Sequence, residues 1–376
     1  MRIHWNSTLV VLGVACIGCG TPDVAPPEVQ PVGAGMPMLE RRPFQVAESD
    51  LPEGRFMSFD VASGGRVVYA ASNEDSPKFR VLDSTGIRLA AFGRSGEGPG
   101  ETRNVVRVEV RNDTIRVHET ARFMLVETGM DGRFLQERRV PGYGIALAWF
   151  RDSIDHWDSH ASPGAPMLAQ TVYRSSLGGQ VGRRLIGPED SVLAAAAAKH
   201  GINAVLAIPY ASNGDQFWIA DPWTYRVRKF DAEGALLRAF SPDVPPATMG
   251  PRMLAIARDQ ISRRPKFTRG PKGQAIPLPD ESGRLDTLDR EQIKHFSRNP
   301  LHLDSHGRLW VIGLVRDSTS VDVFADTTWL GRAMLPCYAS GYGTRVALGP
   351  GWLLLECEVD DGDWPTELQL YRVIEQ

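Results

Sequence analysis

A dense group of basic side chains lies within residues 249–272, which contain a single acidic residue, Asp259. The residues here that we expect to contact a ligand or a partner are Arg252, Arg258, Arg263, Arg264, Lys266 and Arg269. An uncompensated basic surface attracts acidic ligands and acidic protein surfaces. The alternative is a solvated helix whose charge is offset by the acidic residues within 280–291. The first interpretation predicts an acidic partner.

Two histidines and two carboxylates occur close together, as Asp155, His156, Asp158 and His160. Imidazole and carboxylate groups can bind a divalent metal ion. The two histidines would share one face of a helix, but the surrounding sequence is typical of a strand that runs into a loop. We therefore expect an exposed polar loop here, with no metal site, and we assign no catalytic residue.

The glycine-rich segment 92–101 reads Phe-Gly-Arg-Ser-Gly-Glu-Gly-Pro-Gly-Glu. The backbone N–H groups of such a segment can bind an anion. This one lacks the Gly-Lys-Ser/Thr ending of a P-loop, and Pro99 has no N–H to donate. It therefore predicts a structural turn between two repeated units. Trp223 and Trp364, each next to a proline in a predicted loop, are candidates for exposed aromatic residues that bind a partner.

The N-terminal residues 1–18 have the layout of a secretory signal, with a basic start, a short apolar run and small residues at the exit. Ile17-Gly18-Cys19 resembles the end of a bacterial lipobox, which implies lipidation of Cys19, with Cys16 as the alternative site. The alternative to lipidation is an ordinary cleaved signal, which would leave a soluble exported protein. Residues 19–38 are rich in proline and glycine and predict a flexible tether. The folded domain is then expected over residues 39–376.

The expected folded domain, residues 39–376, has two cysteines, Cys337 and Cys357. In an oxidising compartment they could form a disulfide. Two buried thiols are the alternative, because the distance between their Cα atoms cannot be read from spacing.

One pattern returns along the chain: a strand, a polar break, a second strand, an Asp-x-x-Gly turn and a third strand. Its clearest copies are 66–92 and 216–240, and six such units can be counted. Self-similarity at this period predicts an all-β chain folded as a six-bladed β-propeller. Residues 241–298 form a basic, partly helical insertion between blades 4 and 5. The last unit lacks an outer strand, and we expect residues 43–47 to supply it and close the ring.

The repeats and the Gly-Arg-Ser-Gly-Glu-Gly-Pro-Gly-Glu turn resemble the bacterial six-bladed β-propeller lipoproteins, which are related to NHL-like and TolB-like propellers. The resemblance extends over most of the chain and agrees with the lipobox. It implies a lipid-anchored protein of the bacterial cell envelope, either periplasmic or on the outer-membrane face. It implies a binding role and brings no shared catalytic residues.

These observations favour a ligand- or protein-binding scaffold over an enzyme. A formal net charge of -3 and the lack of an arginine-rich tail argue against a nucleic-acid partner. We expect a monomer without a cofactor, attached to the membrane by its lipid, with a protein or an acidic ligand as partner. The alternative is a metal-dependent propeller hydrolase or lyase with a divalent cation in the central channel.

Overall fold

The computed structural model describes residues 35–375, except 52–57, 71–76, 142–144, 159–170, 180–181, 188–208, 222–223, 243, 245–247, 264–266, 270–274, 278–295, 339–344 and 359–365. Nearly all described elements are β-strands, and most of them form antiparallel blades of four strands. One residue pair, Tyr338 opposite Glu358, joins the last two blades into a single eight-stranded sheet.

Blades 1 to 5 have their strands in sequence order from the inside outward. Blade 1 contains β2 (Ser58–Val61), β3 (Val67–Ala70), β4 (Phe79–Leu82) and β5 (Arg88–Phe92). Blade 2 contains β6 (Val105–Arg111), β7 (Thr114–Glu119), β8 (Met124–Gly129) and β9 (Phe134–Arg139). Blade 3 contains β10 (Ile145–Trp149), β11 (Ser153–Asp158), β12 (Thr171–Ser176) and β13 (Arg183–Ile186).

The second half of the ring repeats this arrangement. Blade 4 contains β14 (Tyr210–Ser212), β15 (Gln216–Asp221), β16 (Arg226–Asp231) and β17 (Leu236–Phe240). Blade 5 contains β20 (Phe296–Leu303), β21 (Leu309–Val315), β22 (Ser318–Ala325) and β23 (Thr328–Tyr338). Blade 6 contains β24 (Arg345–Gly349), β25 (Trp352–Glu358), β26 (Thr366–Ile374) and, from the other end of the chain, β1 (Met38–Arg42).

Among the residues that the structure describes, six buried hydrophobic clusters hold the blades together, and each cluster joins two neighbouring blades. The cluster between blades 6 and 1, for example, contains Leu354 and Leu370 from one blade and Val67 and Tyr69 from the other. Such clusters form because the strands alternate apolar side chains toward both neighbours. Since the last blade packs on the first, the chain folds into a closed ring, the six-bladed β-propeller that the repeats predict.

The ring closes through β1, which pairs antiparallel with β26 from Met38 opposite Ile374 to Arg42 opposite Leu370. Closure by an N-terminal strand is confirmed, but the prediction of residues 43–47 is wrong by five positions. Pro43 lacks an N–H and follows the end of β1. Met36 is fully buried in the cluster between blades 5 and 6, so the folded domain begins before residue 39.

Two short 3₁₀ turns, Glu48–Asp50 and Ser63–Gly65, lie beside blade 1. The insertion between blades 4 and 5 contains a helix, α1 (Pro251–Ser262), and a hairpin of β18 (Phe267–Arg269) and β19 (Ala275–Pro277). The predicted insertion ends too late, because its last residues, 296–298, belong to the inner strand β20.

Cys337 in β23 and Cys357 in β25 form a disulfide, with their Cα atoms 5.1 Å apart. The bond links the outer strand of blade 5 to blade 6. Of the two alternatives for these cysteines, the structure has the disulfide. In the part of the chain that the structure describes, no helix is long and apolar enough to cross a membrane.

Candidate functional site

Helix α1 lies on the face of the ring that we call the insertion face. Because strands alternate in direction within a blade, the connections between blades and the turns between second and third strands all reach this face. Asp317 lies in such a turn, between β21 and β22. The insertion therefore emerges next to this turn of blade 5.

Asp317 attaches α1 to blade 5. Its Oδ2 accepts a hydrogen bond from the backbone N–H of Arg252 at 3.0 Å, and its Oδ1 accepts one from Met253 at 2.9 Å. These N–H groups of the first turn have no partner within the helix, and a carboxylate also stabilises the positive end of the helix dipole. Gly250 allows this approach, since a Cβ there would lie 2.3 Å from Asp317 Oδ2.

The predicted basic residues are only partly brought together. Arg258 and Arg263 are exposed on α1, and Arg263 pairs with Asp259 at 2.8 Å, whereas Arg252 is half-buried. At 3.6 residues per turn, Arg252 and Arg263 lie about 20° apart around the helix, and Arg258 lies about 120–140° from both. The helix therefore presents its arginines in two directions.

The other predicted binding residues have no described side chain. Arg269 belongs to β18, of which the structure describes the backbone. The residues that lie outside the described part of the chain are Arg264, Lys266, Trp223, Trp364, Cys16 and Cys19.

A second group of polar residues lies along the inner strands of blades 1 and 2. Ser58 Oγ accepts a hydrogen bond from the backbone N–H of Val108 at 2.9 Å. Asp60 accepts two, from Val110 at 2.6 Å and from Val61 at 2.9 Å. An innermost strand has one edge without a neighbouring strand, so these side chains satisfy N–H groups that the ladder leaves free.

Burial raises the pKa of Asp60 from 3.8 to about 7. The nearby carboxylate of Glu109 contributes to this increase, while the hydrogen bonds from Val110 and Val61 and the positive charge of Arg107 limit it. A shifted carboxyl group is a common sign of a functional site. Here both oxygens are engaged by the backbone, so the arrangement fits a structural role in joining blades 1 and 2.

His118 of blade 2 likewise accepts a hydrogen bond from the inner strand of the next blade, blade 3. Its Nδ1 accepts a hydrogen bond from the backbone N–H of Ala146 at 3.3 Å, which requires a ring nitrogen without a proton. The pKa of His118 is lowered to about 3, chiefly by burial and in addition by Arg107 and His156. Arg107 in turn donates to the carbonyl oxygens of Ala146, at 3.2 Å, and Leu147.

Asp155 and His156 are buried in strand β11, so the prediction of an exposed loop is wrong for them. Arg174 donates to Asp155 at 2.7 Å, and His156 Nε2 lies 2.9 Å from Ser175 Oγ. A buried carboxylate is tolerated when it is paired in this way. Among the described residues, which exclude His160, no group of three or more His, Cys, Asp or Glu side chains could hold a metal ion.

The glycine-rich segment forms a turn held by charged side chains. Glu101 Oε2 accepts a hydrogen bond from the backbone N–H of Gly98 at 3.0 Å. Arg122 of blade 2 donates to the carbonyl oxygens of Glu97 and Glu101, at 3.2 and 2.7 Å. A carboxylate of the protein already occupies the position of an anion, which fits the predicted structural turn.

The sequence interpretation did not identify Asp317. This residue lies in a tight hairpin turn, 65 residues from the helix that it caps. Aspartate is ordinary in turns, so nothing in the local sequence distinguishes this one.

No family model matches this sequence, and no curated protein matches it. Three of the solved structures similar to this chain are the following. The "putative exported protein" of Bacteroides fragilis is 11% identical, with 93% of this chain and 98% of that chain covered and a TM-score of 0.49. A member of the DUF4221 family from Bacteroides vulgatus is 9% identical (92% and 98% covered, TM-score 0.46).

Regucalcin of Agrobacterium tumefaciens, described as a calcium-binding protein, is 11% identical, with 92% of this chain and 98% of that chain covered and a TM-score of 0.41. At such identities and TM-scores, these likenesses carry no information about what this protein binds.

Proposed function

We propose that this protein is an exported, lipid-anchored β-propeller that binds an acidic ligand or an acidic protein surface in the bacterial cell envelope. The observation that carries the proposal is the attachment of α1 to blade 5 by Asp317. A helix that is already fixed loses little further freedom when it binds a partner. It therefore offers Arg258 and Arg263 as a preorganised basic surface on the insertion face.

The ion pair of Arg263 with Asp259 does not remove that surface. The Arg263 side chain is 80% exposed and that of Asp259 is 49% exposed. Exposed pairs of this kind are weak, and an acidic partner can displace one carboxylate with another. Arg258 lies about 140° from Arg263 around α1. A partner that contacts both arginines therefore has to wrap around the helix or use two separate acidic groups.

The experiment compares two double variants with equal loss of charge. Arg258→Ser/Arg263→Ser removes the exposed arginines of α1, and Arg238→Ser/Arg372→Ser removes two exposed arginines from β17 and β26. Each protein is crosslinked in its native membranes and captured, and the proteins that accompany it are quantified by mass spectrometry.

We expect a partner that is enriched with the wild type and the control, and depleted at least tenfold with the α1 variant. Its capture should weaken as salt rises from 50 to 300 mM, because screening acts on exposed charges. Equal enrichment with both double variants would refute the role of α1.

Export and lipidation rest on the apolar run 9–20 and on Cys19. Metabolic labelling with an alkyne fatty acid tests this part separately. We expect Cys19→Ala to lose the label and to appear in the soluble fraction, and Cys16→Ala to keep both the label and the membrane association. If Cys19→Ala keeps the label and Cys16→Ala loses it, Cys16 carries the lipid. If the wild type carries no label, the protein has no lipid anchor.

A further inference from the structure

The outer strands of blades 1, 2 and 4 share a β-bulge near their start. In each of them the pairing with the third strand shifts by one residue, and the residue left without an opposite partner is a leucine: Leu89, Leu135 and Leu237. Each leucine stands three positions after the glycine of the preceding turn. A bulge changes the direction of a side chain, so the same leucine leaves the regular alternation in three blades.

These three bulge leucines are exposed to solvent. Leu89 is 56% exposed, Leu237 is 45% exposed and Leu135 is 39% exposed. The large apolar side chains one or two positions before them are exposed as well: Ile87, Phe134 and Leu236. Single exposed leucines are ordinary on a protein surface. Apolar pairs at the same position of three blades form a pattern, and such a pattern is typical of a binding surface.

These side chains lie on the face of the ring opposite to the insertion face. They follow the turns between third and fourth strands, which reach that end of each blade. Trp329, 42% exposed, stands at the start of the outer strand of blade 5, on the same face. We call Trp329, the three bulge leucines and their apolar neighbours the apolar rim. Blade 3 interrupts this rim, because its bulge leucine, Leu185, is buried.

The chain enters the domain at the same face. Strand β1 begins with Met38 opposite Ile374, at the end of the third strand of blade 6. Just before it, Gly35 lies beside Leu330, the bulge leucine of blade 5, since a Cβ on Gly35 would be 4.0 Å from Leu330 Cδ2. The stretch from Cys19 to Gly35 spans at most about 55 Å when fully extended. A lipid on Cys19 would therefore hold this face of the ring close to the bilayer.

We propose that the apolar rim rests on the lipid bilayer, with its leucines and Trp329 among the lipid headgroups. The proposal rests on the lipid anchor of the proposed function. Blades 1 and 4 lie on opposite sides of the ring, and a bilayer is flat and wide enough to contact both at once. Leucine and tryptophan side chains bind favourably at the membrane interface. Because the anchor keeps the bilayer at a high local concentration, contacts that are individually weak are sufficient.

This orientation specifies the partner of α1 more closely. Helix α1 lies on the insertion face, so the exposed Arg258 and Arg263 point away from the membrane that the rim contacts. Phospholipid headgroups of that membrane are then out of their reach. The acidic partner is therefore a soluble molecule or a protein, rather than an anionic lipid.

The test places a fluorescent NBD label on each face of the full-length, lipidated protein. Ala235→Cys puts the label on the rim and Ala255→Cys puts it on α1, both at exposed alanines. The proteins are reconstituted into vesicles of phosphatidylethanolamine and phosphatidylglycerol that carry nitroxide groups on their acyl chains, and the parent protein gives the labelling background. We expect the nitroxide to quench the label at residue 235 about twofold or more, and to leave the label at residue 255 unchanged.

Two double variants, each combined with the label at residue 235, test the side chains. Leu89→Ser/Leu237→Ser removes two rim leucines from opposite sides of the ring. The control, Leu51→Ser/Met334→Ser, removes apolar side chains that are 42% and 40% exposed but lie off the rim, between β1 and β2 and in the middle of β23. We expect quenching to fall about twofold or more in the first variant and to stay at the wild-type level in the control. In wild type it should persist at about 300 mM salt, because salt does not screen apolar contacts.

Equal quenching of the two labels, or none at residue 235, would overturn the proposal. A leucine variant that is quenched like the wild type would do the same. A dimer in detergent that the leucine variant loses would assign the rim to a second copy of the chain instead. As long as the wild type carries the fatty-acid label, these failures concern the rim alone. A wild type without that label would refute the anchor, and the rim contact with it.

Discussion

The carboxylate of Asp60 in blade 1 accepts a hydrogen bond of 2.6 Å from the backbone N–H of Val110 in blade 2. The inner strand of each blade has a free edge toward the channel, where no further strand can pair. Ser58 and His118 make equivalent bonds to Val108 and Ala146. In blades 2 and 3, side chains from the preceding blade thus accept hydrogen bonds from some of the backbone N–H groups at the open edge of the inner strand.

Replacing Asp60 tests this arrangement through pH. The folded state holds the Asp60 proton up to about pH 7, whereas the unfolded state releases it near pH 4. This group therefore makes the protein less stable as pH rises from 4 to 7, by about 1–3 kcal/mol. In Asp60→Asn we expect this fall to disappear from the denaturation profile. The control variant Asp215→Asn, at an exposed position, should show the same fall in stability as the wild type. If wild type and Asp60→Asn have equal profiles, Asp60 is not the group that titrates.

His118 predicts the opposite slope. Its folded pKa of about 3 lies below the value of 6.5 expected when it is unfolded, so protons bind preferentially to the unfolded chain as pH falls between these values. The stability associated with neutral His118 is present above pH 6.5 and is lost toward pH 3, by about 2–4 kcal/mol.

His118→Asn retains an acceptor for the Ala146 N–H and cannot be protonated in this range. We expect it to lower the stability at pH 8 and to reduce the loss between pH 6 and 4, as measured by urea denaturation. A loss identical to that of the wild type would show that His118 is not the group that titrates.

The disulfide is expected to stabilise the contact between blades 5 and 6. Cys337 and Cys357 are 20 residues apart, and closing a loop of this size contributes about 3 kcal/mol. Reduction should lower the midpoint of guanidinium denaturation accordingly. The double variant Cys337→Ala/Cys357→Ala should have the midpoint of the reduced wild type, whether or not reductant is present. A wild-type midpoint that does not change with reductant would contradict the prediction.

Closure of the ring can be tested with two neighbouring residues of β1. Leu39 is 6% exposed and Met38 is 39% exposed, so the two point to opposite faces of the strand. We expect Leu39→Ala to cost about 2–4 kcal/mol, because it leaves a cavity in the cluster between blades 5 and 6. Met38→Ala should change stability by less than about 0.5 kcal/mol. Similar costs for both would mean that β1 does not seal the ring.

Much of the fold could be predicted from the sequence because its signals are local. Asp83 and Asp231 occupy the same position in two repeats, and each accepts hydrogen bonds from N–H groups two and four residues later. Strand alternation and these turns are decided within a few residues. The partly helical character of the insertion was predicted in the same way, and α1 is a helix within it.

The candidate sites depended on contacts between distant segments. Asp317 meets α1 only after the insertion has folded back onto blade 5. Asp155 and His156 look like exposed residues in the sequence, yet the structure buries them with partners from β12. Their polarity gives no sign of this, since burial depends on what the neighbouring strands provide.

The sequence by itself determined the repeat, the six blades and the presence of a basic insertion, because each follows from periodicity and composition within short windows. Only the tertiary structure decided which strand closes the ring, where α1 is attached and which polar side chains are buried. Strand β1 pairs with β26, at the opposite end of the chain, and no short-range pattern specifies the partner. Its choice depends on the geometry of the whole ring, in which the free edge of blade 6 comes to lie beside residues 38–42.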